Sequence, residues 1–231
     1  MEVLHQLFSQ DKHINTFINQ IKESTIDSQL ITGLTGSARP GMIYSIFKET
    51  KKPLYILSPN LLQAQKLVDD LSSLVGDELV HYYPAEEFLA ADLSIASPEL
   101  RASRIATLDH LAKNDVAIYI IPIAGMRKIM TPTEQWNANY LEAIVGKDIE
   151  IDDWLLQLVT MGYTRSSMVT TPGEFALRGG ILDIYPPYAD SPIRIELFDT
   201  EIDSIREFSA DDQRSIKKLD SARILPAAEV L

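Results

Sequence analysis

The sequence predicts an α/β fold, with an open and mainly parallel sheet followed by a smaller α+β region. Residues 29–121 alternate four times between apolar strand patterns and amphipathic helix patterns, with short connections. From residue 163 onward, short strands with hairpin turns dominate. The run 173–187, G-E-F-A-L-R-G-G-I-L-D-I-Y-P-P, holds a buried-looking strand that a Gly-Gly pair opens and two prolines close.

The first region alternates strands and helices along the chain. Residues 1–24 place apolar side chains near a 3.6-residue period, which predicts an amphipathic helix. Further helices are expected from Met42, from Asn60 to a stop at Gly76, and from Pro98. The predicted strands of this region are Gln29–Leu34, Leu54–Leu57, Leu79–Tyr83 and Val116–Ile121.

The second region begins near residue 127 and is predicted to hold one short helix and several short strands. Asp152–Met161 carries its apolar side chains on one helical face. Apolar and polar residues alternate over 193–198, and Asp199–Thr200 is expected to form a hairpin turn. The alternation slips within Glu201–Phe208, which predicts a bulge.

Several side chains of the second region have a plain structural interpretation. Phe175 and Tyr185 are predicted to be core residues, since both are large and lie in strand patterns. Arg194 and Arg206 are expected to pair at the surface with hairpin neighbours such as Glu196 and Glu201. Arg178 stands just outside the 181–185 strand, so we expect a presented surface rather than a catalytic pocket.

The amino-acid composition limits the classes of site and partner that this chain can have. The 231 residues suffice for one large or two modest domains. No cysteine is present and the four histidines lack metal-ligand spacing, which disfavours a metal site. The absence of cysteine favours a reducing, cytoplasmic setting. No apolar run is long enough to span a bilayer, so no membrane partner is expected. The formal charge of −12 disfavours autonomous nucleic-acid binding. Arg101 and Arg104 are therefore expected on a solvated helix face; the alternative is a remnant polynucleotide-facing patch.

Residues 33–41, G-L-T-G-S-A-R-P-G, occupy the place of a phosphate loop between a strand pattern and a helix pattern. The working motif is G-x-x-x-x-G-K-[ST]. Aligned from Gly33, with Gly36 inside the loop, the second glycine becomes Ala38, the lysine Arg39 and the hydroxyl residue Pro40.

Each replacement has a physical cost. A Cβ at Ala38 crowds the approach of a phosphate. Arg39 keeps a charge but is a planar fork rather than a compact ammonium. Pro40 offers neither a hydroxyl to magnesium nor an N–H to a phosphate. We interpret the loop as a glycine-bearing turn that starts a helix; weak anion or nucleotide binding and an active ATPase remain as alternatives.

Four motifs together carry a family resemblance that covers about residues 25–225. The chain resembles the N-terminal module of the bacterial transcription-repair coupling factors (Mfd), a module that is similar to the excision-repair protein UvrB. The motifs are G-L-T-G-S-A-R-P-G at 33–41, S-P-E-L-R-A-S-R-I-A-T-L at 97–108, G-E-F-A-L-R-G-G-I-L-D-I-Y-P-P at 173–187 and I-R-I-E-L-F-D-T-E-I-D-S-I-R-E-F at 193–208.

The resemblance implies a domain plan. Residues 1–126 would form a degenerate RecA-like (P-loop NTPase-like) α/β domain, and 127–212 an inserted α+β domain that binds UvrA. Residues 213–231 would begin a return to the first domain, and the strand-like pattern that stops at Leu231 suggests an interruption inside a longer protein. ATP and magnesium are expected only for a motor of the full-length protein.

The resemblance also implies contact residues and departures from UvrB. UvrA-contacting arginines of UvrB-like proteins fall on Arg165 and Arg178, whereas a third falls on Ala176. The DNA-inserting hairpin of UvrB should follow Tyr83, but only a short acidic stretch, Glu86–Ala96, stands there.

The predicted function is therefore a non-catalytic UvrB-homology module of a transcription-repair coupling factor. Its partners would be UvrA and other domains of the same polypeptide, with RNA polymerase and DNA reached only through the full-length protein. The alternative is an ATP-dependent DNA helicase or translocase domain in which Arg39 replaces the lysine of a variant phosphate loop.

Overall fold

The computed structural model describes residues 11–23, 28–85, 97–127 and 130–229. The first part of the predicted helix over 1–24 and the acidic stretch 86–96 lie outside these residues. The chain packs as two compact units: one combines residues 1–85 with 114–127, and the other combines 86–113 with 128–231. The domain limits 1–126, 127–212 and 213–231 stay predictions, because compact packing does not define domains.

The first unit is a parallel three-stranded sheet with helices. Its strand order is β1-β3-β2, and Ile118 is level with both Leu54 and Val80. Ile118 and Ile120 are fully buried and pack against Leu71. The elements are α1 (Lys12–Lys22), α2 (Ala38–Thr50), β1 (Leu54–Ser58), α3 (Leu61–Val75), β2 (Val80–Tyr82) and β3 (Ile118–Pro122), with 3-10 turns at Asp77–Leu79 and Ile123–Arg127.

The predicted α/β class with a parallel sheet is confirmed, but the predicted strand Gln29–Leu34 is wrong. Residues 28–35 are neither helix nor strand, and Leu30 is 88% exposed. An isolated extended segment gains no ladder hydrogen bonds, so apolar composition alone does not make it a strand.

Local signals position both ends of α3 and the start of α4 (Pro98–Lys113) as predicted. The side-chain oxygen of Asn60 accepts the Gln63 N–H at 2.9 Å, which caps α3. Gly76 ends that helix with a φ of 99°. Helix α4 begins at Pro98, and the Ser97 hydroxyl lies in hydrogen-bond contact with the Glu99 carboxylate.

The second unit is built on a six-stranded sheet of order β10-β9-β8-β7-β6-β5, with β5 parallel to β6 and the other pairs antiparallel. Strands β4 and β11 form a separate antiparallel pair. Its elements are α4 (Pro98–Lys113), α5 (Thr133–Ala138), β4 (Leu141–Ile144), α6 (Ile151–Thr160), β5 (Thr164–Arg165), β6 (Glu174–Arg178), β7 (Ile181–Ile184), β8 (Ile193–Phe198), β9 (Glu201–Phe208), β10 (Ser215–Leu219) and β11 (Ser221–Ile224).

The large sheet has two unlike faces because successive side chains of a strand point to opposite sides. On one face, Phe175, Leu182 and Ile195 are fully buried in a core that includes Leu158 of α6. Phe175 is thus a core residue as predicted, whereas Tyr185 is half-buried at the edge of a smaller cluster around Phe208.

The β8–β9 hairpin follows the predicted pattern. Asp199 lies in the turn with a φ of 58°. Glu196 pairs with Ser204 but Leu197 pairs with Ile202, so Asp203 is an extra residue. The predicted bulge is confirmed, and it lets Ile202 and Ile205 both reach the core although their spacing is odd.

Among the described helices, none combines the length and the apolar character that crossing a lipid bilayer would require.

Candidate functional site

Arg165 lies on β5, one of the two edge strands of the six-stranded sheet. Two backbone hydrogen bonds hold this segment against β6: Thr164 N–H to Gly173 C=O at 2.9 Å and Ser166 N–H to Phe175 C=O at 2.8 Å. The side chain of Arg165 is exposed and forms no hydrogen bond or ion pair with the described part of the chain. It is therefore available to another molecule.

Arg178 is the last residue of β6, and Gly179 follows it with a left-handed φ of 60°. The Arg178 side chain is 45% exposed, and its Nη2 donates to Asp183 Oδ2 at 2.8 Å. Arg178 is thus only partly solvated, because one edge of the guanidinium is already occupied.

Gly180 completes the tight turn behind Arg178. Its carbonyl accepts the Leu197 N–H at 2.7 Å, and a Cβ on Gly180 would lie 2.9 Å from the Leu197 carbonyl oxygen. The backbone of β8 therefore approaches Gly180 closely. A Cβ on Gly179 would meet nothing within 4 Å, so glycine is favoured at this position by its left-handed backbone conformation.

Asp183 on β7 is the centre of the charged cluster behind Arg178. The residue is 0% exposed, and its Oδ1 and Oδ2 accept hydrogen bonds from Arg194 Nε and Nη2 at 2.7 and 2.9 Å. Arg194 also donates to Gln213 Oε1 at 2.9 Å and lies 4.2 Å over the Phe208 ring. The hydrogen bonds to Asp183 raise the pKa of Arg194, with burial acting in the opposite direction.

The expected surface pairing is wrong for Arg194 and confirmed for Arg206. Arg194 is directly opposite Asp183 in the β7–β8 register, so the nearest carboxylate is a buried one. Arg206 forms an ion pair with Glu196 at a partly exposed site. The Ser204 hydroxyl and Arg206 both stabilise the Glu196 carboxylate and lower its pKa, although burial opposes them.

The register separates Arg165 from Arg178. Arg165 is level with Phe175, and Arg178 is three residues further along β6. At roughly 3.3 Å per residue this is about 10 Å along the strand. Pleat alternation also assigns the two arginines to opposite faces of β6 and its neighbour, so a molecule that contacts both must wrap around this edge of the sheet.

The phosphate-loop residues form a turn that leads into α2. Gly33 and Gly36 have φ values of 82° and 54°, and an added Cβ on either would meet nothing within 4 Å. The Ala38 N–H is bonded to the Thr35 carbonyl at 3.1 Å, and Pro40 has no N–H. Few backbone donors therefore remain for an anion at this helix start.

A cavity of 330 Å³ lies beside this loop in the first unit, lined by residues that include Arg39, Lys66 and Asp70. Arg39 is exposed. In the described residues no group of three or more histidine or carboxylate side chains has the geometry to hold a metal ion.

Helix α4 corrects one further expectation. Arg101 is exposed as predicted, but Arg104 is buried and forms an ion pair with Glu229. Asp109 on the same helix pairs with Arg223 at 2.9 Å. The solvated-face prediction is wrong for Arg104, because the segment around β11 covers that side of the helix within the second unit.

Comparisons with known proteins relate the chain to one family. Residues 141–229 match the family model described as the UvrB interaction domain. Over all 231 residues, the chain is 43% identical to a transcription-repair-coupling factor of Bacillus subtilis (strain 168) and 40% identical to one of Staphylococcus aureus (strain MRSA252). The chain is homologous to part of the transcription-repair-coupling factors. It spans about one fifth of their length, 20% and 19% respectively.

The predicted resemblance to this family is thereby confirmed. The match to the UvrB interaction domain contains Arg165, Arg178 and the Asp183 cluster, whereas the loop at 33–41 lies outside it. Asp183 was missed by sequence reasoning, although a lone carboxylate inside the apolar strand I-L-D-I is a usable signal, because a buried charge needs a partner.

Proposed function

We propose that the chain is the UvrB-homology module of a transcription-repair coupling factor, and that it recruits UvrA to stalled RNA polymerase for nucleotide-excision repair. The observation that carries the proposal is the 43% identity over the whole chain to a transcription-repair-coupling factor, together with the UvrB interaction domain match at 141–229. Identity at this level over 231 residues supports a shared function of the matched part.

The docking surface of this proposal is the β5–β6 edge with Arg165 and Arg178. Both side chains reach solvent, and Arg165 has no partner in the described part of the chain. Arginine suits such a surface because its stem buries apolar area and its guanidinium makes bidentate bonds to carboxylates. A protein partner is favoured over a nucleic acid, since the net charge of −12 repels phosphates.

The first unit supports a scaffold role without catalysis in this proposal. Its parallel sheet with flanking helices is compatible with a degenerate RecA-like domain. At the loop, Ala38, Arg39 and Pro40 replace the residues that would hold phosphate and magnesium. The chain itself would need no cofactor; ATP and magnesium would serve a motor elsewhere in the full-length protein.

The proposed setting is the cytoplasm, with UvrA and other domains of the same polypeptide as direct partners. RNA polymerase and DNA would be reached through the full-length protein. This arrangement fits a cysteine-free, acidic chain that spans one fifth of its relatives.

Titration calorimetry of the 231-residue chain with purified cognate UvrA tests the proposal. We expect a saturable complex, and we expect the same complex in pull-down with either protein immobilised. The absence of binding at micromolar concentrations of a correctly folded chain, judged by its circular dichroism spectrum, would overturn the proposed function.

A further inference from the structure

We propose that Asp183 and Arg194 are positioning residues, which hold the Arg178 guanidinium so that its free edge receives a carboxylate of the docking partner. This inference rests on the proposed function, and it adds two residues and a partner chemistry to the docking surface. It is carried by the shared carboxylate of Asp183 and by the half-exposed state of Arg178.

The Asp183 carboxylate is fully committed inside the protein. Oδ1 accepts from Arg194 Nε at 2.7 Å, and Oδ2 accepts from both Arg194 Nη2 at 2.9 Å and Arg178 Nη2 at 2.8 Å. The residue has no exposed surface, so water does not compete for these bonds. Charge-assisted hydrogen bonds of this kind are the strong ones in proteins.

Arg194 makes the anchor rigid. Besides the two bonds to Asp183, its guanidinium donates to Gln213 and lies over the Phe208 ring. Gln213 Nε2 in turn donates to the Ala210 carbonyl at 3.0 Å, and its backbone has a φ of 62°. The side chain of Arg194 is only 15% exposed, so it supports Asp183 from inside the sheet rather than reaching a partner itself.

Arg178, unlike Arg194, is half-exposed and only partly hydrogen-bonded within the protein. Nη2 is tied to Asp183, while Nε and Nη1 form no hydrogen bond with the described residues. A long side chain loses conformational entropy when a partner immobilises it. The bond to Asp183 removes part of that freedom before binding, and this preorganisation favours the complex.

The charge balance of the cluster indicates what the partner presents. Two guanidinium groups, of Arg178 and Arg194, face the single carboxylate of Asp183, which leaves one positive charge. That charge lies on the solvent-exposed edge of the Arg178 guanidinium. A carboxylate on a protein is the matching group, because it accepts two parallel N–H bonds from a guanidinium. An extended polyanion is disfavoured by the net charge of −12.

A double-mutant cycle on the full 231-residue chain tests the proposal, with the dissociation constant for UvrA as the readout. We expect Asp183→Asn to weaken binding about tenfold, and to change it by less than about twofold when Arg178→Ala is already present. A residue that acts through Arg178 must lose its effect once Arg178 is gone. A purely structural role would leave the loss equally large in both backgrounds.

Matched variants keep the outcome interpretable. Asp203→Asn makes the same chemical change at an exposed carboxylate on β9, and we expect unchanged binding. If Asp183→Asn lowers the folded fraction, the double variant Asp183→Asn with Arg194→Gln replaces it. Two neutral amides then face each other, so Arg194 is not left as a buried charge without its carboxylate. The carboxylate that holds Arg178 is still removed. We expect this double variant also to bind about tenfold more weakly than wild type.

Two results overturn the proposal and are distinguishable. Additive effects of Asp183→Asn and Arg178→Ala in a chain that binds UvrA would exclude the positioning role and leave the proposed function intact. A folded wild-type chain that does not bind UvrA would exclude the proposed function and the positioning role together.

Discussion

Arg104 and Glu229 form a buried ion pair in the second unit, although 125 residues separate them along the chain. Their side chains are 2% and 8% exposed. The Thr131 hydroxyl donates to the Glu229 carbonyl at 2.7 Å, which adds a second link to the same residue. Helix α4 is thereby held to the end of the described chain, which contributes to its packing within the second unit.

Removing Arg104 should destabilise the second unit strongly. Arg104→Met removes the guanidinium that forms a buried ion pair with Glu229, and we expect a loss of about 3–5 kcal/mol in the free energy of unfolding. Both tryptophans, Trp136 and Trp154, lie in this unit, so urea unfolding followed by tryptophan fluorescence measures it.

Two variants control that measurement. Arg104→Met with Glu229→Met should recover part of the loss, because two apolar side chains then replace both members of the buried ion pair. Arg214→Ala removes an exposed arginine that lies 3.7 Å from Asp212 and should cost less than about 1 kcal/mol. Equal losses for Arg104→Met and Arg214→Ala would show that burial does not determine the contribution of the pair.

The docking surface predicts a selective loss of UvrA binding. Arg165→Glu should weaken the complex at least about thirtyfold with unchanged stability, because Arg165 is exposed and has no partner in the described residues. Arg178→Gln is the informative change at the second position, since Arg178→Glu would place a carboxylate beside the buried Asp183 and disturb the fold.

Arg214→Glu is the matched control for both variants, because it reverses the charge of an exposed arginine in the same unit. Calorimetry with UvrA and circular dichroism of each variant complete the test. Wild-type affinity in both Arg165→Glu and Arg178→Gln would exclude this edge of the sheet as the docking surface.

Local patterns predicted those elements whose stabilising partners are close in sequence. The cap of α3 at Asn60, its stop at Gly76 and the bulge at Asp203 follow from residues within a few positions of each feature. The strand expected at Gln29–Leu34 fails for the opposite reason. Pairing needs a neighbour at the correct distance, and apolar composition does not supply one.

The charged side chains were harder to predict because burial is a property of the packed chain. Arg104 and Arg194 were predicted to lie at the surface and Asp183 was overlooked, yet each forms its ion pair at a buried or mostly buried site. The family resemblance pointed to Arg165 and Arg178 but not to the residues that hold the Arg178 side chain in place. Only the register of β7 against β8 brings Asp183 beside Arg194.

Acid should selectively remove the contribution of Glu174 to stability. Burial raises the pKa of Glu174, but the backbone N–H groups of Thr170 and Thr171 donate to its carboxylate at 2.9 and 3.0 Å and lower the pKa overall. The folded-state pKa thus lies below the unfolded value of 4.5, so the stabilisation is present above pH 4.5 and is lost as pH falls through the folded pKa.

Glu174→Gln should therefore be less stable than wild type at pH 7, and the difference should shrink below pH 4.5. Urea unfolding by tryptophan fluorescence at several pH values measures this difference. Glu142→Gln, at an exposed carboxylate on β4, controls for the general effect of losing one negative charge. A difference between Glu174→Gln and wild type that is independent of pH would contradict the assignment to the ionised carboxylate.

The loop at 33–41 predicts no ATP turnover by this chain. Pro40 removes both the hydroxyl for magnesium and a backbone donor, and the Ala38 N–H is already bonded to Thr35. We expect no magnesium-dependent phosphate release above background, in wild type and in Arg39→Ala alike. Turnover that disappears in Arg39→Ala would instead support the helicase-like alternative.

Gly179 and Gly180 should respond differently to substitution, because one is a conformational requirement and the other a steric one. Gly179→Ala forces a Cβ residue to a φ of 60° in open space and should cost about 1 kcal/mol. Gly180→Ala brings a Cβ to 2.9 Å from the Leu197 carbonyl oxygen, and backbone cannot move cheaply there, so we expect a loss of about 1–3 kcal/mol.

Asparagine separates the two causes, since it tolerates the left-handed region better than alanine does. Gly179→Asn should be more stable than Gly179→Ala, whereas Gly180→Asn should be no better than Gly180→Ala. The Gly180 variants should also weaken UvrA binding, because a displaced turn moves the end of β6 that holds Arg178. A rescue by asparagine at both positions would show that backbone conformation, and not the contact with β8, determines the requirement for glycine at Gly180.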